Sequence, residues 1–255
     1  EEEDDDEPQS HAGTSSGSKS KIVKFALIHE DFSLEDFIKT TKAEQVLIIS
    51  DVAGSGKTTL LTKIHEILLQ KYRRHFIFFI SLLKIVDELA EGVGESFTEF
   101  IAKVLDYSPL KKEIFMQKYS KGEVKILFDA FDEISPKCKE NTTKLFKLFH
   151  KNGKNQALIT TRTHLEYDLE QELRVLAHRL KILSKDEQIQ FLEEFWDCKD
   201  RVLVKKCAKL LVDKIDEIIS SSSSLIGVPF ILKGLAEAYK DKIDDKDFER
   251  EIQNL

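Results

Sequence analysis

One stretch constrains this chain more than any other: QVLIISDVAGSGKTTL at residues 45–60. An apolar run of strand character passes through a glycine-rich turn into a segment whose Leu60, Leu61, Ile64, Ile67 and Leu68 share one helical face. Strand, tight turn and helix in that order set successive backbone N–H groups and a helix N-terminus in front of an anion. Gly54 and Gly56 permit the close approach of a phosphate, Lys57 carries charge toward it, and Thr58 offers a hydroxyl to Mg²⁺. The pattern G-x-x-x-x-G-K-[ST] has glycine where this chain has Asp51, so an altered approach to the loop is expected around an intact AGSGKTT core.

Three further runs share the character of the first: FIFFI at 76–80, VKILF at 124–128 and ALIT at 157–160. They are apolar on consecutive positions, the pattern of parallel, central strands buried on both faces. Amphipathic segments alternate with them, so the expected fold is α/β, a central parallel sheet flanked by helices. Ser96 with Glu99 and Ser184 with Glu187 form capping boxes, and Asn141 is expected to open a helix through Leu145 and Phe149 that Gly153 closes. Past about Lys181 the strand runs stop. A stripe of Val204, Ala208, Leu211, Ile215 and Ile218 predicts a small helical subdomain over 184–255, interrupted by a loop at Ser220 to Ser224. The nucleotide-binding part is expected over 21–183, behind a disordered acidic and polar tail or linker at 1–20.

Charge narrows the partners. Thirty-nine Lys plus Arg against forty-six Asp plus Glu give −7, an excess that the opening EEEDDDE carries by itself. The remainder is balanced, so no direct nucleic-acid or membrane surface is indicated. No apolar run approaches the roughly 18 residues of a membrane helix. Cys138, Cys198 and Cys207 form no C-x-x-C pair, which predicts reduced thiols, neither disulfide nor zinc, and a cytoplasmic location. The histidines match no zinc spacing, and no N-K-x-D run points to guanine.

A second chemical signal is KILFDAFDEISP at 125–136. An apolar strand ending in Asp129 puts a carboxylate at the carboxyl edge of the sheet, where a metal-bound nucleotide would lie, and Asp132 and Glu133 follow on the turn to orient or polarise a water. A third, ALITTR at 157–162, presents Thr161 and Arg162 toward the same edge, where an arginine can contact a phosphate with two N–H groups. In Gly227-Val-Pro229 the proline suits the first turn of a helix.

AGSGKTTL, ILFDAFDEIS, LITTR and IGVP, in this order and over about residues 25–239, resemble the NACHT family of signal-transduction P-loop NTPases. The D-[G/A/S]-hydrophobic-D-E acidic motif is the specific part, and the missing first glycine is similar to NACHT segments of large arthropod repeat proteins. The resemblance implies that Gly54, Ser55, Gly56, Lys57, Thr58 and Thr59 cradle the phosphates, and that Thr58 and Asp129 hold Mg²⁺. It also implies that Asp132 assists hydrolysis with Glu133 beside it, that Arg162 acts as a phosphate sensor, and that Pro229 touches the nucleotide from the helical side. The expected function is an ATP- and ADP-binding switch with slow hydrolysis that regulates oligomerisation of a signalling protein of the innate-immune kind, through self-association and through partners of domains outside this segment. Two other readings stand beside it: a non-hydrolysing nucleotide-bound scaffold for protein assembly, and an AAA+ type motor ATPase.

Overall fold

The computed structural model describes residues 46–196, 200–218, 227–240, 243 and 248–253. The tail at 1–20, residues 21–45 and the serine run at 220–224 lie outside the described residues. Along the chain, β1 (Val46–Ser50) leads through the glycine-rich loop into α1 (Lys57–Lys71), followed by β2 (Phe76–Ser81), α2 (Val86–Glu91), α3 (Phe97–Val104) and α4 (Pro109–Lys121). Then come β3 (Val124–Asp129), α5 (Pro136–Asn152), β4 (Gln156–Thr161), α6 (Glu166–Leu173) and β5 (Ala177–His178). After β5 the described elements are helical: α7 (Lys185–Trp196), α8 (Arg201–Ile218), α9 (Pro229–Tyr239) and α10 (Phe248–Gln253).

The strands pair in parallel in the order β2-β3-β4-β1-β5. Consecutive apolar residues are needed because both faces are covered. On β1, Val46 and Ile48 join a core that includes Phe100, Phe115 and Phe146, while Leu47 and Ile49 pack with Leu60, Leu61, Ile64 and Leu68 of α1. Each such side chain, fully buried, contributes roughly 1.5–3 kcal/mol. The expected α/β architecture is the one observed.

Local departures have physical causes. FIFFI forms an edge strand, not a central one: only Ile80 of the run is fully buried, and the Phe76 and Phe78 rings lean on Phe115 of α4, with centroids 6.2 and 5.7 Å away. An aromatic helix face packs against one side of this edge strand. The two-residue β5, paired through Ile48↔Ala177 and Ile49↔His178, is too short to show as an apolar run. Asn141 does not open a helix. Ser135 caps α5 by accepting a hydrogen bond from Cys138 N–H, with Pro136 in the first turn, and the Asn141 amide within that helix donates to Leu89 O at 2.6 Å. Gly153 does close that helix, at φ 69°.

The helical part has its own core of Leu192, Trp196, Val204, Ala208, Leu211, Leu232 and Ala236, and the Trp196 indole donates to Ala236 O at 2.8 Å. Ile218 of the expected stripe is 53 % exposed, so the buried face ends at Ile215. The Ser184 and Glu187 box is complete in both directions: Ser184 N–H donates to the Glu187 carboxylate at 2.7 Å and Glu187 N–H to Ser184 Oγ at 3.4 Å. No helix among the described residues is long and apolar enough to cross a membrane.

Candidate functional site

At the carboxyl edge of the sheet the chain leaves β1 and turns through Gly54 and Gly56, both left-handed at φ 77° and 94°. Gly56 is the N-cap of α1 and brings no side chain to bond the first-turn N–H groups. The N-caps of α3, α4 and α5 are serines whose hydroxyls accept from the helix backbone. A 15-residue helix thus begins with its donors directed at a glycine turn instead of a capping oxygen. Thr58 and Thr59 lie exposed in that first turn, and Ser55 is buried beneath it.

Lys57 folds back over the loop. Its ammonium donates to Asp51 O at 2.9 Å, Val52 O at 2.7 Å and Ser55 Oγ at 3.4 Å. Burial draws its pKa below the ordinary lysine value, against the opposing pull of Asp132 and Asp51. Asp51, standing where the common pattern has glycine, uses both carboxylate oxygens: one accepts from Val52 N–H at 2.7 Å, the other from Leu180 N–H at 3.0 Å. The departure changes what the start of the loop is attached to and leaves the glycines in their turn.

Asp129 ends β3, 6 % exposed. Its carboxylate accepts from Thr58 Oγ1 at 2.8 Å and from Thr160 Oγ1 at 2.6 Å. The sequence pattern points to Thr161 and Arg162 and not to their neighbour Thr160. Only the β3–β4 register, which puts Phe128 beside Ile159, shows that residue 160 stands next to residue 129. Thr161 is buried within β4. After Asp129 the chain turns on Ala130, at φ 65°, into a short 3-10 turn. Phe131 goes inward against Phe146, with ring centroids 5.7 Å apart, and this sends Asp132 back to the edge.

Asp132 meets Arg162 there: Nε to Oδ2 is 2.7 Å, with the Asp132 side chain 5 % exposed. Glu133, half exposed, is 3.9 Å from the same guanidinium. Arg162, expected to contact phosphate, pairs here with these two acids. Pro229 begins α9 against the loop. A Cβ on Gly56 would lie 3.8 Å from Pro229 Cγ, and one on Gly54 only 2.7 Å from Phe230 Cβ, while Phe230 N–H donates to Gly54 O at 3.2 Å. Gly54 is required both for its φ and for this approach. The Phe230 contact was not legible in the sequence.

These residues fit Mg²⁺ with a nucleotide. A hydroxyl and a carboxylate are the hard oxygen donors Mg²⁺ takes, and no group of three or more His, Cys, Asp or Glu that could hold a metal occurs among the described residues. A cation beside Thr58 and Asp129 would draw its other oxygens from phosphate and water.

Comparison with known proteins agrees with this architecture. The family model for the NACHT domain matches residues 45–198, more than half of the chain. Domain III of the Thermotoga maritima replication initiation protein DnaA superposes with a TM-score of 0.50 at 16 % identity, over 82 % of this chain and 89 % of that one. A DNA replication initiation factor gives 0.43 at 13 % identity, over 86 % and 73 %. AMPPCP-bound DnaA from Aquifex aeolicus gives 0.35 at 10 %, over 86 % and 89 %. No curated protein sequence matches. With the glycine turn, the threonine and aspartate pair and the acidic turn on one sheet edge, the chain belongs to the NACHT family of P-loop NTPase domains.

Proposed function

We propose that this domain is an ATP- and ADP-binding switch that hydrolyses ATP slowly with Mg²⁺ and so regulates self-association of a larger cytoplasmic signalling protein, whose other partners bind outside this segment. One observation carries the reading: a helix N-terminus without a side-chain cap, behind two left-handed glycines, stands at the same sheet edge as Thr58, Asp129 and Asp132. In this reading the backbone from Gly54 to Thr59 cradles the phosphates and Lys57 exchanges its loop carbonyls for phosphate oxygens. Thr58 and Asp129 hold the cation, with Thr160 fixing the second oxygen of Asp129. The bound cation supplies charge neutralisation between the phosphates. Asp132 orients water with Glu133 beside it, and Pro229 touches the nucleotide from the helical side. Arg162 senses the terminal phosphate, which competes with Asp132 for the guanidinium.

Fluorescent ADP titrated with Mg²⁺ tests this: binding should be lost in Lys57→Ala and retained in Asp132→Ala, with turnover lowered in the latter. Equal binding by wild type and Lys57→Ala would sink the proposal. The pairing of Asp132 with Arg162 favours a second reading, a nucleotide-bound scaffold without meaningful hydrolysis, because the guanidinium occupies the carboxylate oxygen that would orient water. Phosphate release separates the two, since a scaffold would release no more than its Asp132→Ala variant.

A further inference from the structure

The register Ile48↔Ala177 and Ile49↔His178, continued along both strands, brings Asp51 opposite Leu180. Asp51 itself takes no part in the backbone ladder there, although Leu180 is still a bridge residue. Asp51 N–H is bonded to Thr161 O of β4, and Asp51 O is turned to the Lys57 ammonium. The Asp51 carboxylate accepts from the buried Leu180 N–H at 3.0 Å and adds a side-chain bond to the bridge at the end of this short edge strand. A glycine at residue 51 has no atom that could do this.

Leu180 leads directly into the helical part. Ile182 packs on Gly227 so closely that a Cβ there would lie 1.8 Å from Ile182 Cγ2, and Leu183 N–H donates to Gly227 O at 3.4 Å. Gln188 of α7 holds Leu183 O at 2.7 Å from the other side. Two residues past Gly227 the chain is back at the phosphate loop, with Pro229 against Gly56 and Phe230 bonded to Gly54. The contacts form a closed ring from Asp51 through Leu180, Leu183 and Gly227 to Phe230 and Gly54. The phosphate loop is thereby tied at two points to the chain segments that position the helical subdomain.

We propose that Asp51 is a positioning residue: its carboxylate holds the strand that leaves the sheet, and through it seats the Gly227 to Phe230 turn on the phosphate loop, so that releasing nucleotide requires unseating that turn. The consequence for nucleotide rests on the function proposed above; the seating does not. Opening at either joint loosens the other, because the same short segment, Leu180 to Leu183, joins the Asp51 carboxylate to Gly227. Nucleotide held between loop and turn should leave faster when the ring is cut, with little change in the rate at which it arrives.

Two measurements on the whole chain test this. Hydrogen exchange without nucleotide should show residues 177–183 and 227–232 protected in wild type and both about ten-fold faster in Asp51→Ala, with Val124–Asp129 unchanged. Stopped-flow release of fluorescent ADP should be roughly five- to ten-fold faster in that variant, with association changed by less than about two-fold. Gly227→Ala, which forces Ile182 off the turn without touching the phosphate loop, should reproduce the faster release and decides the matter if Asp51→Ala does not fold. Faster exchange confined to 177–183, or release in Gly227→Ala equal to wild type, overturns the proposal. If wild type binds no fluorescent ADP, the switch reading fails by itself, and exchange at 227–232 still decides the role of Asp51.

Discussion

Lys57 and Lys125 stand at opposite edges of one sheet, and in both burial pulls the ammonium below its ordinary pKa. Their partners differ in kind. Lys57 is held by two carbonyls of a glycine-rich turn, in the field of Asp132 and Asp51. Lys125, 2 % exposed at the start of β3, donates to the Gln156 amide oxygen and lies 4.5 Å from the centre of the Tyr72 ring, and Lys71 adds a like charge. Backbone oxygens beside opposite charge can be exchanged for phosphate at little loss. A neutral amide and an aromatic face fix a cation for good. Burial alone therefore does not distinguish the two lysines; the exchangeability of their partners does.

The sharpest way to break this contrast is to remove each lysine in turn. Lys57→Ala should weaken Mg²⁺-nucleotide binding by about 100-fold or more, roughly 2.7 kcal/mol, with a small change in melting temperature. Lys125→Met should leave nucleotide affinity within about two-fold and show its effect in stability. Isothermal titration beside thermal unfolding of both variants checks this, and a nucleotide defect of similar size in Lys125→Met would remove the distinction.

The same contrast shows what could be read without coordinates. Glycines next to a lysine and two threonines, after an apolar run, point to the phosphate loop because local backbone geometry alone demands those residue types. Asp129 was legible because a strand ends where its apolar run ends. Thr160 and the Leu180 partner of Asp51 were not, because they depend on which strands lie side by side, and periodicity carries no register. FIFFI misled for a related reason: aromatic residues at a sheet edge covered by α4 have the same composition as a central strand. Asn141 misled because a capping residue type also occurs inside helices, and the Ser135-Pro136 pair six residues upstream is the stronger start.

The second effect is electrostatic and belongs to Lys125. Burial and Lys71 push its pKa down to about 8 from 10.5. Between those values the folded lysine has lost its proton and the unfolded one has kept it, so the unfolded chain binds more protons and stability rises with pH across that window. Lys125→Met lacks this contribution. Between about pH 7 and about pH 10 the stability difference should move toward the wild type by on the order of 1 kcal/mol, measured by urea unfolding at each pH. A difference that stays flat would mean that water reaches the ammonium and its charge costs nothing.

The smallest effects concern the backbone at the two ends of β3. Both ends turn on a left-handed residue, Gly122 at φ 77° where the strand is entered and Ala130 at φ 65° where it leaves for the acidic turn. The entering end has the residue that this conformation favours, and a Cβ there would also meet Lys154 O at 2.9 Å. The leaving end carries a side chain that this conformation disfavours by roughly 1 kcal/mol. Gly122→Ala should therefore destabilise the domain by about 1–2 kcal/mol. Ala130→Gly should stabilise it by less, about 0.5 kcal/mol, because relief of strain is partly offset by the greater freedom of glycine in the unfolded chain. Opposite signs for the two exchanges, read by urea unfolding, would show that strain is kept at the edge that carries Asp129 and Asp132 and avoided at the edge that carries Lys125. Equal signs would mean that Ala130 sits in its turn without strain, and that burial of Phe131 alone directs Asp132 to the site.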